Sequence, residues 1–524
     1  MKTIDGASFA RPMPFRSRPI SERLAARAVD ADAYDASRRW FAIALPITMA
    51  VLLYLVPILR MSAGVLFFLT LIPLLFFNAF KDPERAFYVY VAWCWMDGTL
   101  RGLTGGNSLM AVGRDLVLAL IISAWIVMRM RTRYDDPIRI PPAAGPLALF
   151  SVLCVLQIAN PHAISLMNSL AALKTHLSTI PLYFFAYDVF RRRGQVHSLV
   201  LFLVLATAVI GSVSMLQYVM GREWTFVHYP GTDKILDTAY NFASESDAET
   251  MNLFKPPGTV YYGGATGVFL ALMAPLLCSL ILMQQLYKKN RARIVGYSVM
   301  GFGFIIGIFI NGLRIAVAQA IIGLVFLAFV CGGALRKQAT IAVVACVMAA
   351  VVAFSIAATI SGGALTTRFG SFFNNPVDAL HQDRSTFFEQ MVDLAVNSPV
   401  GVGLGRNGPA SQFTPKDSDV EDLGFGAYSE SYLGFLVLET GLPGALLIAY
   451  AAFVFLRHGY AALQRTTDPS DRLLAAGVLA LQVTICANFF FGPILVQPPG
   501  SVLYWVFAAM LIRAFGTGQK PQLT

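Results

Sequence analysis

The sequence predicts an all-α protein, a polytopic transmembrane helical bundle of about 14 spans with two long outside loops containing short helices. Three observations carry this. Of 524 residues, 56% are hydrophobic and only 13% charged, whereas soluble domains carry roughly a quarter charged residues. The charges cluster between apolar runs of about 20 residues, the length needed to cross hydrocarbon. Lys and Arg concentrate in alternate connections, the bias that orients a membrane protein. The net charge of +10 therefore reads as topology, and nucleic acid is not expected as a partner.

Residues 1–39 hold eight cations, including Arg11, Arg16, Arg18 and the pair Arg38-Arg39, and read as a disordered basic tail on the inner side. The arginine pair has the form of a twin-arginine signal. The apolar run behind it is long, lacks a small-residue cleavage site and is followed by more spans, so a first span is read instead. Apolar runs then lie near 40–59, 62–80, 86–104, 109–128, 145–160, 177–190, 197–218, 260–286, 294–311, 314–335, 339–360, 431–456, 473–492 and 500–514. The run at 145–160 is short, and Asp97 and Arg101 interrupt the one at 86–104. These runs divide the chain into N-terminal spans over 40–218, a first outside loop over 219–259 and central spans over 260–360. A large outside loop over 361–430, C-terminal spans over 431–514 and an inner tail over 515–524 complete it.

With the N-terminus inside, the inner connections hold Lys81 and Arg85, Arg129 to Arg139, Arg191-Arg192-Arg193, Lys288 to Arg293, Arg336-Lys337, and Arg457 to Arg472. Both termini then lie inside, and the inner loops are too short for a catalytic domain. Loops much beyond about 15 residues are usually functional or disordered, so chemistry is expected on the outside, where ATP and nucleotide sugars are absent. No lysine follows a glycine, which excludes a P-loop. The six cysteines lie in apolar segments without CxxC or CxH spacing and read as core residues. Asp417-Ser418-Asp419 has the form of the metal-holding triplet of nucleotide-sugar transferases, but it stands in an acidic outside loop and reads as solvated. No metal site and no cofactor are expected.

The most informative stretch runs from Asp383 to Gly444. A helix led by Arg384 carries Phe387, Phe388, Met391 and Leu394 at helical spacing. It runs into Gly401-Val402-Gly403-Leu404-Gly405, where glycines permit close backbone approach. Glu430 then stands at the mouth of the next span, between Tyr428 and Tyr432, whose rings are those of sugar-stacking or of membrane-belt tyrosines. Glu439, deeper in that span, reads as a helix–helix hydrogen-bonding residue. Charges at a bilayer edge are costly unless used. Arg314 opens a span after Asn311-Gly312, and either snorkels or holds an anion. Lys255 stands at another span mouth behind Pro-Pro-Gly, Arg222 precedes it in the same loop, and Arg114 opens the fourth span. Together these cations have the makings of a diphosphate clamp.

From about Gln217 to Gly444 the order of features resembles the O-antigen ligase and polysaccharide polymerase superfamily. The likeness rests on F-K-P-P-G-T, N-G-L-R-I-A, D-R-S-T-F-F-E-Q, P-V-G-V-G-L-G and L-E-T-G-L-P-G. It implies an inverting, metal-independent glycosyltransferase in a bacterial inner membrane. The donor would be a glycan on polyprenyl (undecaprenyl) diphosphate, the acceptor a glycan hydroxyl, and the active site periplasmic. Arg384, Arg314, Lys255, Arg222, Arg114, Gly403 and Gly405 would serve the diphosphate, and Glu430 the acceptor. At the place of the family's His-Asn pair, nine residues before Glu439, stand Glu430 and Ser431. That departure from the ligase pattern favours a polymerase. A ligase, and a flippase for the same lipid, are the alternatives. A chain-length regulator or other export proteins are conceivable partners.

Overall fold

The computed structural model describes residues 20–59, 81–103, 109–131, 139–229, 254–256, 258–260, 265–361, 363, 365–366, 369–370, 391–406, 431–496 and 498–516. Every regular element among them is helical. This is how a single chain satisfies its backbone polar groups in hydrocarbon. In order these are α1 (Ile20–Leu59), α2 (Pro83–Leu103), α3 (Leu109–Arg131), α4 (Ala144–Gln157), α5 (Leu166–Leu177), α6 (Pro181–Val189), α7 (Arg193–Met220) and α8 (Arg222–His228). Then follow α9 (Ala265–Met283), α10 (Arg291–Ile310), α11 (Arg314–Val330), α12 (Gly333–Ile360), α13 (Tyr432–Arg465), α14 (Pro469–Ala487) and α15 (Gly500–Met510). Single π-helical turns, Gln284–Lys288 and Leu511–Phe515, extend α9 and α15. Polar starts are capped by side chains: Ser165 on α5, Asn290 on α10, Ser431 on α13, and Asp468 with Pro469 on α14.

Among the described residues, seven helices are long and apolar enough to cross a membrane: Ala36–Leu55 within α1, α7, α9 with its π turn, α10, Leu335–Ile360 within α12, α13 and α14. The Leu335–Ile360 segment makes the membrane argument by itself. It is 26 residues long, yet only 11% of it is buried. Val344, Met348, Val351, Val352 and Ile356 all face outward, and a helix of this length with such a surface suits contact with lipid. At the other extreme, α9 is enclosed by α7, α10, α11 and α14 and forms the centre of the bundle.

Several of the expected spans take other forms. The runs at 145–160 and 177–190 become three short helices, α4, α5 and α6. At about 1.5 Å per residue the 14 residues of α4 reach roughly 21 Å, short of the roughly 30 Å hydrocarbon core. Pro161, the Ser165 cap and Pro181 set the breaks. The α11 and α15 helices are apolar but also short. The α2 and α3 helices are long, with Asp97, Arg101, Arg114 and Asp115 inside them. The run at 62–80 lies outside the described residues. The connection over 219–259, expected outside, contains α8, and residues 391–397 in the connection over 361–430 are helical.

Candidate functional site

The site is built around two features that meet at one face of the bundle. The first is an interlock between the glycine-rich turn and α13. Residues 398–406 wedge between α4, α5 and α13. Backbone bonds join Val402 N to Leu438 O (2.8 Å) and Leu442 N to Pro399 O (2.9 Å). Side chains from the opposite wall hold the turn's carbonyls: Gln157 Nε2 on Val400 O (2.5 Å), Asn160 Nδ2 on Gly401 O (3.2 Å), Ser169 Oγ on Leu404 O (3.2 Å) and Asn168 Nδ2 on Gly405 O (3.2 Å).

Glu439 completes the interlock. Its carboxylate is fully buried and accepts the Gly405 amide (3.0 Å), while its other oxygen meets His176 Nε2 of α5 at 2.9 Å. The imidazole stacks on Phe435, one turn earlier on α13, with ring centroids 4.8 Å apart. At Gly441 the helix leaves helical geometry (φ 70°, ψ −173°), which opens room for the turn. Glu439→Ala would strand the Gly405 amide and a histidine nitrogen in a buried site, at a cost of about 3 kcal/mol. Thermal melts of the detergent-solubilised protein should show that loss. Glu439→Gln, which still offers an acceptor, should recover much of it, and unchanged melting of the alanine variant would mean that this carboxylate does not hold the turn.

The second feature is a band of charge at the ends of α2 and α3. Asp97 pairs with Arg101 (2.9 Å) and Arg114 (3.0 Å), Arg114 also meets Asp115 (3.3 Å), and Asp115 pairs with Lys174 of α5. Lys174 lies two residues before His176, so α5 joins the charge band to the interlock. The loop carrying Lys255 inserts beside the band. Thr259 O accepts the amides of Gly98 (2.9 Å) and Thr99 (3.3 Å), and Thr259 Oγ1 donates to Trp95 O (2.7 Å). Gln217, near the end of α7, clamps Gly258 through both its amide and its carbonyl. One turn earlier, Ser214 hydrogen-bonds Asn311 (3.3–3.4 Å), which ends α10 and leads through Gly312 into Arg314. Chained hydrogen bonds thus bring Arg114, Lys255 and the start of α11 to one face.

The residues expected from sequence divide as follows. Arg314 is half-buried at the first position of α11. Lys255 is half-buried in the clamped loop. Arg222 begins α8, exposed, with its guanidinium 5.2 Å from the Phe226 ring centroid. Arg114 is buried and already paired with two carboxylates, so its charge is largely compensated within the protein. Tyr432 corrects the expectation of an open sugar platform: it is 3% exposed, with its ring in the core against Phe435 and Phe489. Gly403 and Gly405 face protein, Gly403 against Asn160 and Ala163 and Gly405 against the Asn168 backbone. The glycine run therefore reads here as a packing device. Arg384, Tyr428, Glu430 and Asp417 to Asp419 lie outside the described residues.

Sequence reasoning missed His176, Lys174, Asn168 and Gln157. They lie in an ordinary-looking stretch far from the turn, 237–243 positions away where Asn168 and Gln157 bond it, with no motif to mark them. Comparison of the chain with family models, with curated proteins and with solved structures finds no match.

Proposed function

We propose that the protein is a bacterial polysaccharide polymerase. It would transfer a glycan from polyprenyl diphosphate to the hydroxyl of an acceptor glycan at the outer leaflet of the inner membrane. In this reading the chain has about 14 spans, both termini are cytoplasmic, and the face described above is periplasmic. The observation that carries the reading is the gathering of Arg314, Lys255 and Arg222 on helices and loops that hydrogen-bond into one face. Arg314 adds a second argument. It stands at the positive end of the α11 dipole, behind Leu313, which supplies no side-chain cap. A helix start of this kind favours an anion, and Arg314 stands at it.

Arg314, Arg384 and Lys255, with Arg222 at the rim, hold the diphosphate. They stabilise the negative charge that grows on it as the sugar C1–O bond breaks. Diphosphate leaves without a general acid. The acceptor oxygen attacks C1 from the opposite side and forms the new glycosidic bond, and its proton passes to Glu430. The anomeric centre inverts in this one displacement. The interlock supports the geometry from both sides: the chain from Arg384 ends in the wedged turn, and Glu430 directly precedes the Ser431 cap of α13.

The class is tested by the lipid-linked glycans of a deletion strain. Single repeats accumulating outside are expected. Long lipid-linked chains would make the protein a ligase, and repeats trapped inside would make it a flippase. Two variants test the roles. Arg384→Ala should abolish chain growth with normal membrane insertion. Glu430→Gln should keep donor binding and lose turnover, and normal polymer from either variant would remove that residue from the mechanism.

A further inference from the structure

The opposite end of the bundle carries a second charged cluster, independent of the glycan reading. His197, in the first turns of α7, lies 20 residues from Gln217, or about 30 Å along the helix, one hydrocarbon thickness from the site above. Arg38, beside Arg39 on α1, and Gln195, just before His197, both reach Glu84 at 2.7 Å. The α10 helix packs along α7, tied farther on by Asn311 to Ser214 (3.3 Å). Arg39 and Arg293 therefore lie at the level of His197, with Lys288 of the π turn beside Arg293. The connection between α9 and α10 forces two of these cations together. The π turn ends at Lys289 in a left-handed conformation, and Asn290 immediately caps α10 on the Arg293 amide.

Three arginines at this end are matched: Arg38 with Glu84 at 2.7 Å, Arg129 with Asp188, and Arg193 with Asp471 at 2.8 Å. Arg39, Lys288 and Arg293 make no ion pair among the described residues. The carboxylates nearest Lys288, Asp468 and Asp471, are already engaged in capping α14 and in pairing Arg193. His197 Nε2 is buried beneath the cations without a hydrogen-bond partner.

Next to these cations stand exposed aromatic rings, Trp40 (73% exposed) beside Arg39 and Tyr287 (41%) beside Lys288. Such rings sit at headgroup depth. Exposed Val295 and Val299 on α10, and Ile47 and Val51 on α1, continue from the cluster toward the bilayer centre, where acyl chains would lie.

We infer that Arg39, Lys288 and Arg293, gathered over His197, form a binding site for the phosphate group of an anionic membrane lipid. Three exposed cations supply charge-assisted bonds to one phosphate, and the apolar helix faces accept the lipid tails. Zwitterionic lipid offers the same phosphate with its charge cancelled and binds more weakly.

The test is native mass spectrometry of the full chain with phosphatidylglycerol, with phosphatidylcholine and with inorganic phosphate as competitor. The wild type should retain phosphatidylglycerol selectively. With roughly 1 kcal/mol per cation near a membrane surface, Arg39→Ala/Lys288→Ala/Arg293→Ala together should weaken retention about a hundredfold. Arg457→Ala, an exposed cation elsewhere, should change nothing. Should the triple variant fail to fold, Lys288→Gln alone should lose about fivefold. Undiminished phosphatidylglycerol binding by a folded variant, equal binding of phosphatidylcholine by the wild type, or displacement by inorganic phosphate would each overturn the assignment.

Discussion

Arg314→Ala is expected to abolish glycan elongation while the protein still folds and inserts. The side chain is half-buried at the first position of α11, where its positive charge opposes the helix dipole. What holds the local structure is the residue set before it. Asn311 is fully buried, bonded to Ser214 and to Gly307 O (2.7 Å). Catalysis should suffer far more than folding. Removing one donor to a developing oxyanion typically costs 10²–10³-fold in rate, about 3–4 kcal/mol, and the proposed mechanism gives Arg314 that role on the diphosphate. Arg314→Lys should be intermediate, because an ammonium keeps the charge but loses the planar fork. Lipid-linked glycan profiles, read beside the level of folded protein in the membrane, check this. An alanine variant that makes full-length polymer would leave Arg314 as a snorkelling residue.

Gly441→Ala is expected to cost several kcal/mol of stability and to leave little folded protein. Two penalties add. At φ 70° an L-residue is strained by about 1–2 kcal/mol. In addition, the new Cβ would stand 2.6 Å from the Gly401 amide nitrogen, and that backbone cannot retreat because Val402 and Pro399 are bonded to α13 on either side. The reciprocal position behaves alike: a Cβ on Gly401 would lie 2.6 Å from the Gly441 nitrogen. The contrast is Gly296→Ala or Gly303→Ala on α10, where the added Cβ meets nothing within 4 Å. These should be neutral or slightly stabilising. Size-exclusion profiles and thermal melts in detergent make the comparison. Equal behaviour of Gly441→Ala and Gly296→Ala would contradict the interlock.

Much of the helical plan was legible because hydrocarbon imposes one rule, a run of apolar residues about 20 long. Apart from α8, the helices from α7 to α15 follow the runs closely. Legibility failed where prolines and a cap cut an apolar stretch into pieces too short to span. The α4–α6 stretch is apolar enough to resemble two spans, but its length is set by Pro161, Pro181 and the Ser165 cap, and its polar residues serve the glycine turn. In the candidate site, the E-T-G-L-P-G and P-V-G-V-G-L-G motifs were visible as motifs, while their meeting was not. The contact joins segments more than 30 residues apart in sequence, with His176 contributed from 263 residues away. The role of Glu439 as a helix-joining hydrogen bonder could be read from its apolar surroundings. The burial of Tyr432 could not, since a tyrosine at a span mouth and one in a helix seam carry the same local signal.

The central claim is tested most directly with the purified chain in proteoliposomes, supplied with polyprenyl-diphosphate-linked glycan repeats, a chelator and no nucleotide. The account predicts lipid-linked products lengthened by whole repeats, with one polyprenyl diphosphate released for each bond formed and the anomeric configuration inverted. A donor left intact by folded protein under these conditions, or moved across the bilayer without any new glycosidic bond, would contradict it.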